Sequence, residues 1–166
     1  MPTTFQEFLR QKAEGTSSRD RIRHRDEWLG ALNRLFDLIR NFLREADPDD
    51  LLEIVPYEVQ RVENRLGVYD APAMKIRLGT DAVDLLPVGR FSIGHLSVHS
   101  LGRSSGEVGE ENSLAGRVDI TNGERKYLLL RSMEGDQERW FAVDAYSGAT
   151  LLDREHLEKI LRDLFS

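Results

Sequence analysis

Ser18 to Ala46 reads SRDRIRHRDEWLGALNRLFDLIRNFLREA, the longest regular pattern in the sequence. Ile22, Leu29, Phe36 and Leu43 recur every seven residues. Leu32, Ile39 and Ala46 run along the neighbouring line, and Trp28, Leu35 and Phe42 along a third. Three adjacent apolar lines predict a single amphipathic helix with a stripe broader than the seam of a two-stranded coiled coil. At about 1.5 Å per residue the helix is roughly 40 Å long, longer than most small domains are wide. Its stripe needs apolar cover, from Phe5 and Phe8 upstream, from a second copy or from another protein. Leu29, Leu32, Phe36 and Ile39 are the expected contact centre.

Upstream, Thr4 and Glu7 have the spacing of a capping box, and Phe5, Phe8 and Leu9 share one face of a short helix. Gly15-Thr16-Ser17 breaks that helix, and Ser17 or Ser18 is placed to cap the next. The short helix is expected either to fold back as a hairpin or to lie on a sheet. The long helix opens with Arg19, Arg21, Arg23 and Arg25 at alternate positions. That spacing spreads the charges around the cylinder, and Asp20, Asp26 and Glu27 lie beside them as local partners. Arg21 and Arg25 are the candidates for an anion contact. Arg25 lies on the apolar line between Ile22 and Leu29, where it is placed to meet a carboxylate of another element.

Downstream, Pro48 stops the helix inside an acidic turn, Asp47 to Asp50. The turn divides a helical front, residues 1–48, from a β-rich body, residues 49–166. Leu52 to Val55 and Tyr57 to Val62 read as extended, with Pro56 at an edge or a bulge. Val59, Val62 and Leu66 also have helical spacing, so a helix after Pro56 is the alternative. Met74, Ile76 and Leu78 alternate with Lys75 and Arg77, and Gly79-Thr80-Asp81 turns the chain into Val83 to Val88. Phe91 to Val98 extends further, and the polar, glycine-rich run from Gly102 to Asn112 reads as an exposed loop.

Asn122-Gly123 marks a hairpin between Gly116–Ile120 and Arg125–Met133. Three successive leucines, Leu128 to Leu130, imply a strand covered on both faces. A last strand follows at Trp140 to Val143. Asp153 then caps a final helix with its apolar face at Leu157, Ile160, Leu161 and Leu164. Helices, then strands, then a helix imply an α+β fold: a short and a long N-terminal helix, a mostly antiparallel curled sheet, and a C-terminal helix packed on it. No βαβ alternation supports a doubly wound nucleotide-binding fold.

Composition narrows the function classes. The chain has 166 residues, 40% hydrophobic and 31% charged, with five prolines and 13 glycines, as in a globular domain. It contains no cysteine, which removes disulfides, thiolate metal sites and cysteine nucleophiles, and suits a reducing cytoplasm. A formal net charge of −6 argues against a nucleic-acid partner. No secretory signal and no apolar run of membrane-spanning length is evident.

Chemistry-bearing constellations are few. Asp119 followed by Glu124 and Lys126 has the residue types of a metal-dependent nuclease, with Asp84 as a second candidate acid. Glu124 follows directly on the Asn122-Gly123 turn, which puts it at a hairpin tip rather than in a cleft. His95 and His99 share one face of an extended segment but lie about 13 Å apart along a straight strand, too far to share a metal. Glu107, Glu110 or Glu111 would be the third ligand. His24 and His156 stand alone. Ser104, Ser105 and Ser147 lack a nucleophile elbow, and no phosphate-binding loop is present. Trp28 and Trp140 are better placed in a core than at an interface.

The run Gly116-Arg117-Val118-Asp119-Ile120 and the strand Trp140–Asp144 before a final helix resemble uncharacterised bacterial proteins, a likeness that carries no activity. The expectation is a small cytoplasmic bacterial protein that is non-catalytic, has no cofactor or metal and works by contact with another protein or its own copy. The alternatives are a metal-dependent hydrolase or nuclease using Asp84, Asp119 or Glu124, and a small-molecule binding module.

Overall fold

The computed structural model describes residues 4–15, 18–91, 114–144 and 148–166. Two helices open the chain, α1 at Phe5–Gly15 and α2 at Ser18–Ala46. Thr4 and Glu7 form the expected capping box: the Glu7 amide donates to Thr4 Oγ1 at 3.2 Å, and the Thr4 amide donates to Glu7 Oε2 at 3.0 Å. At the far end of α2, the Asp47 carboxylate accepts from the amides of Leu51 and Leu52 at 2.9 and 2.8 Å. That turn aims the chain into the sheet.

The strands are β1 at Glu53–Glu63, β2 at Gly67–Leu78, β3 at Asp81–Gly89, β4 at Leu114–Thr121, β5 at Lys126–Glu134, β6 at Gln137–Asp144 and β7 at Gly148–Leu151. They form one seven-stranded sheet in the order β1-β2-β3-β4-β5-β6-β7, and every neighbouring pair is antiparallel. Tyr57–Glu63 is strand, because the long register from Glu53↔Arg77 to Glu63↔Gly67 outweighs the helical spacing of its valines. Each strand proline falls where a ladder bond is not needed. Pro56 lies on edge strand β1; Pro72 and Pro87 lie beyond the β2–β3 ladder, which covers only Met74–Leu78 and Asp81–Leu85.

The sheet curls over α2, and helix α3 at Arg154–Leu164 closes the same side. Trp28, Leu32, Leu35, Phe36, Ile39 and Leu43 of α2 meet Met74, Ile76, Val83, Leu85, Val118, Ile120 and Leu129 of the strands in one core. Leu157, Ile160, Leu161 and Leu164 of α3 join it, so the helical front and the β-rich body share a single interior. Asp153 caps α3 by accepting from the His156 amide at 2.8 Å. The leucine triplet divides as expected of a strand buried on both faces. Leu129 points into the main core, whereas Leu128 and Leu130 join Phe141, Val143 and Ala149 on the opposite side.

One contact fixes how close α2 comes to the sheet. Gly116 has φ +148°, and a Cβ placed there would stand 2.2 Å from Cζ3 of Trp28. The indole therefore rests directly on the strand backbone, which only glycine permits. Among the described residues no helix is long and apolar enough to cross a membrane.

Candidate functional site

The long helix's stripe is interior. Leu32, Phe36 and Ile39 are 0%, 2% and 0% exposed, and Leu29 is half-buried against the same core. The contact centre expected at Leu29, Leu32, Phe36 and Ile39 is thus covered by the chain's own strands and α3. The breadth of the stripe matches two covering layers, sheet and helix. Arg21 is exposed. Arg25 lies 3.9 Å from Asp26 of its own helix, and among the described residues no other element's carboxylate pairs with it.

A different set of charges does converge. Arg131 is 1% exposed, and its guanidinium meets Glu27 at 2.8 Å, Glu138 at 2.6 Å and the Ala115 carbonyl at 3.1 Å. Glu27 also takes Arg90 at 3.1 Å, and Glu138 takes Arg34 at 3.0 Å. The result is an alternating chain, Arg90–Glu27–Arg131–Glu138–Arg34, that ties α2 to β5, to β6 and to the end of β3. Burial pushes the Glu138 carboxyl up, but the hydrogen bonds and charges of Arg34 and Arg131 outweigh it and hold it below the usual range. The hydrogen bond that Arg34 donates to Glu138 raises the pKa of Arg34 in turn. Every charge in the chain has an opposite partner, which is the pattern of a structural clamp.

Glu63 makes a second buried clamp. It accepts from the Tyr69 hydroxyl at 2.6 Å and from the amides of Arg90 and Phe91 at 3.1 and 2.9 Å. These bonds fasten the β1–β2 hairpin to the exit of β3. The ring of Phe91 lies under Arg65 and Arg90, at 4.8 and 4.5 Å, and edge-on to His24 at 5.2 Å.

The carboxylates weighed as metal ligands lie apart from the core. The register sets Asp84 opposite Thr121 and Asp119 opposite Leu86, so both acids sit diagonally on one outer face. Diagonal neighbours of this kind lie about 7–8 Å apart, with their Cβ atoms somewhat closer. Asp84 accepts from the Tyr57 hydroxyl at 2.8 Å and pairs with Lys75 at 3.0 Å. Burial and then Asp84 push the Tyr57 phenol well up, so it stays protonated. Asp119 pairs with Arg117 at 2.8 Å and with Lys126 at 3.9 Å.

Glu124 is exposed at the hairpin tip and joins neither acid. That tip instead docks α3: Asn122 Nδ2 donates to the Leu164 carbonyl at 3.0 Å, and Arg125 meets Asp163 at 2.7 Å. Tyr127 donates to Asp163 at 2.8 Å, and burial together with that carboxylate pushes its phenol up to about 12. His156 Nδ1 lies 2.6 Å from Asp153, within the cap of α3. Among the described residues no group of three or more His, Asp or Glu could hold a metal. His95, His99, Ser104, Ser105, Glu107, Glu110, Glu111 and Ser147 lie outside the described residues.

Apolar surface collects elsewhere. On α1, Phe5, Phe8 and Leu9 are 73%, 52% and 49% exposed, and the two phenyl rings stack at 6.1 Å. Where α2 ends, Leu43, Ala46, Leu51, Leu78, Leu161 and Phe165 line an open groove of about 490 Å³. A cleft of about 650 Å³ lies midway along α2, between Arg34 and Leu38 on one wall and Glu138, Trp140 and Leu151 on the other. The spacing of Phe5, Phe8 and Leu9 is plain in the sequence. The groove is not, because its walls come from α2, the α2–β1 turn, β2 and α3. No protein-family model matches the chain, and no match was found among curated proteins or solved structures.

Proposed function

We propose that this chain is a non-catalytic protein-interaction module of the cytoplasm, with α1 as its contact element and α2 as the support behind it. One observation carries the reading: a capped helix holds two stacked phenylalanines and a leucine in water. An 11-residue helix is marginal by itself, and displaying three large apolar side chains on it costs solubility. Both costs are recovered when the face docks, in the manner of an amphipathic helix entering a groove. The absence of cysteine from 166 residues supports the cytoplasmic assignment.

The test is chemical crosslinking with mass spectrometry, comparing the native chain with a Phe5→Ser/Phe8→Ser variant. Crosslinks from α1 to a protein chain are expected for the native sequence and lost in the variant, with the melting temperature unchanged. Crosslinks that ignore the substitutions would defeat the reading.

A second reading, a divalent-metal hydrolase, draws on the shared outer face of Asp84 and Asp119. Their ion pairs with Lys75 and Arg117 weigh against it, since a metal must first displace both cations. Calorimetric titration with magnesium and manganese decides: saturable heat abolished by Asp84→Asn and Asp119→Asn favours the hydrolase.

A further inference from the structure

We infer that the pocket between α3 and strands β5, β6 and β7 binds a small free α-amino acid. The inference is independent of the contact assigned to α1.

Register builds one wall. Leu129 lies opposite Ala142, and Ala142 opposite Thr150, so the three side chains share the inner face of the sheet. Tyr127 precedes Leu129 by two residues and Asp144 follows Ala142 by two, which puts both on that same face. After burial and Asp163, Asp144 also pushes the Tyr127 phenol up, as expected of close neighbours. Helix spacing builds the other wall. His156, Lys159 and Ile160 stand three and four residues apart, and all three line the pocket from α3.

Between the walls is a cavity of about 140 Å³. Its floor includes Ala142, set between Trp140 and Asp144, where a longer side chain would fill the space. Bonds at both ends of α3 hold the walls apart. The Asp153 cap fixes the start, while Asn122, Arg125 and Tyr127 bond to Leu164 and Asp163 at the end. The pocket is therefore formed before a ligand arrives, which lowers the entropy lost on binding.

Charge selects the ligand. Among the described residues the lining carries one ammonium, Lys159 on the helix wall, and one carboxylate, Asp144 on the sheet wall. None of the described ion pairs joins them. Asp144 has another partner in the chain, and the several lone pairs of its two oxygens accept a second donor. A simple anion would meet Asp144, a simple cation would meet Lys159, and an apolar molecule would answer neither. A carboxylate and an ammonium on one carbon answer both. The carboxylate takes Lys159 and the Thr150 hydroxyl. The ammonium takes Asp144 and the phenol oxygen of Tyr127, whose own proton goes to Asp163. Ala142 and Ile160 leave a small apolar patch for the side chain. The volume equals that of roughly five molecules of liquid water, room for glycine, alanine or serine but not for an aromatic side chain.

Isothermal titration calorimetry of the full chain with glycine, alanine, serine, phenylalanine and tryptophan tests the proposal. Saturable heat is expected at millimolar concentration with the small amino acids and not with the aromatic pair. N-Acetylalanine lacks the ammonium and alaninamide lacks the carboxylate, and each should bind at least tenfold more weakly than alanine. Lys159→Met, at an exposed position, should weaken alanine at least tenfold without moving the melting temperature. Asp144→Asn should do the same to affinity, and N-acetylalanine probes that contact from the ligand's side without touching the fold. Phe5→Ser/Phe8→Ser should bind alanine as the native chain does. No saturable heat with any of the small amino acids overturns the proposal. So does alanine binding indifferent to Lys159→Met, N-acetylalanine binding as tightly as alanine, or phenylalanine binding more tightly than alanine.

Discussion

Gly116 leaves no room for a single methyl group. Its Cβ would overlap the ring of fully buried Trp28, and its φ of +148° is one that other residues rarely adopt. Gly116→Ala is expected to cost about 3 kcal/mol or more, from overpacking and backbone strain together, as read by urea unfolding. Two phenylalanines provide the contrast. Phe36→Ala empties a core site and should cost about 3–5 kcal/mol, whereas Phe8→Ala on exposed α1 should stay within about 0.5 kcal/mol. Arg131 is the charged counterpart. Arg131→Met leaves Glu27 and Glu138 facing each other without their shared cation, at an expected cost of about 3–5 kcal/mol. Arg34→Met removes only the exposed end of the same chain and should cost less than about 1 kcal/mol.

Individual elements explain what the sequence could and could not convey. Signals contained within a few residues were legible: the capping box at Thr4 and Glu7, the Asp153 cap, the Asn122-Gly123 turn and the apolar spacings of α2 and α3 all appear where the sequence puts them. The α+β architecture was legible for the same reason. What covers a face was not, since periodicity shows that a stripe is buried but not against what. Leu29, Leu32, Phe36 and Ile39 therefore read as a contact centre in the sequence, although the sheet and α3 cover them. The surroundings of the carboxylates depend on register in the same way. The Tyr57 hydroxyl reaches Asp84 from two strands away, a pairing that register alone decides. The α3 element carries its own prediction. The first contribution at its cap is the His156 amide bonded to Asp153, which holds that carboxyl below its usual range. Asp153→Ala should cost about 1 kcal/mol and fray the first turn in hydrogen exchange.

The whole molecule responds to acid through these same groups. Glu138 and Asp153 both have folded-state pKa values below their unfolded ones. Their contributions are complete above the unfolded carboxylate range and fade as pH falls through the lowered folded values. Urea midpoints should therefore decline below about pH 4.5, and Arg131→Met should flatten the part of that decline that belongs to Glu138. The order of the strands has a kinetic meaning as well. Each ladder joins segments that follow one another along the chain, and five of the six connections between them are a few residues long. Closing a short loop sacrifices little entropy, so hairpins can zip in succession without searching for distant mates. Rapid-mixing experiments should find refolding faster than for sandwich proteins of similar size, whose strands pair out of sequence, with the slowest step being the seating of α2 beneath the assembled sheet.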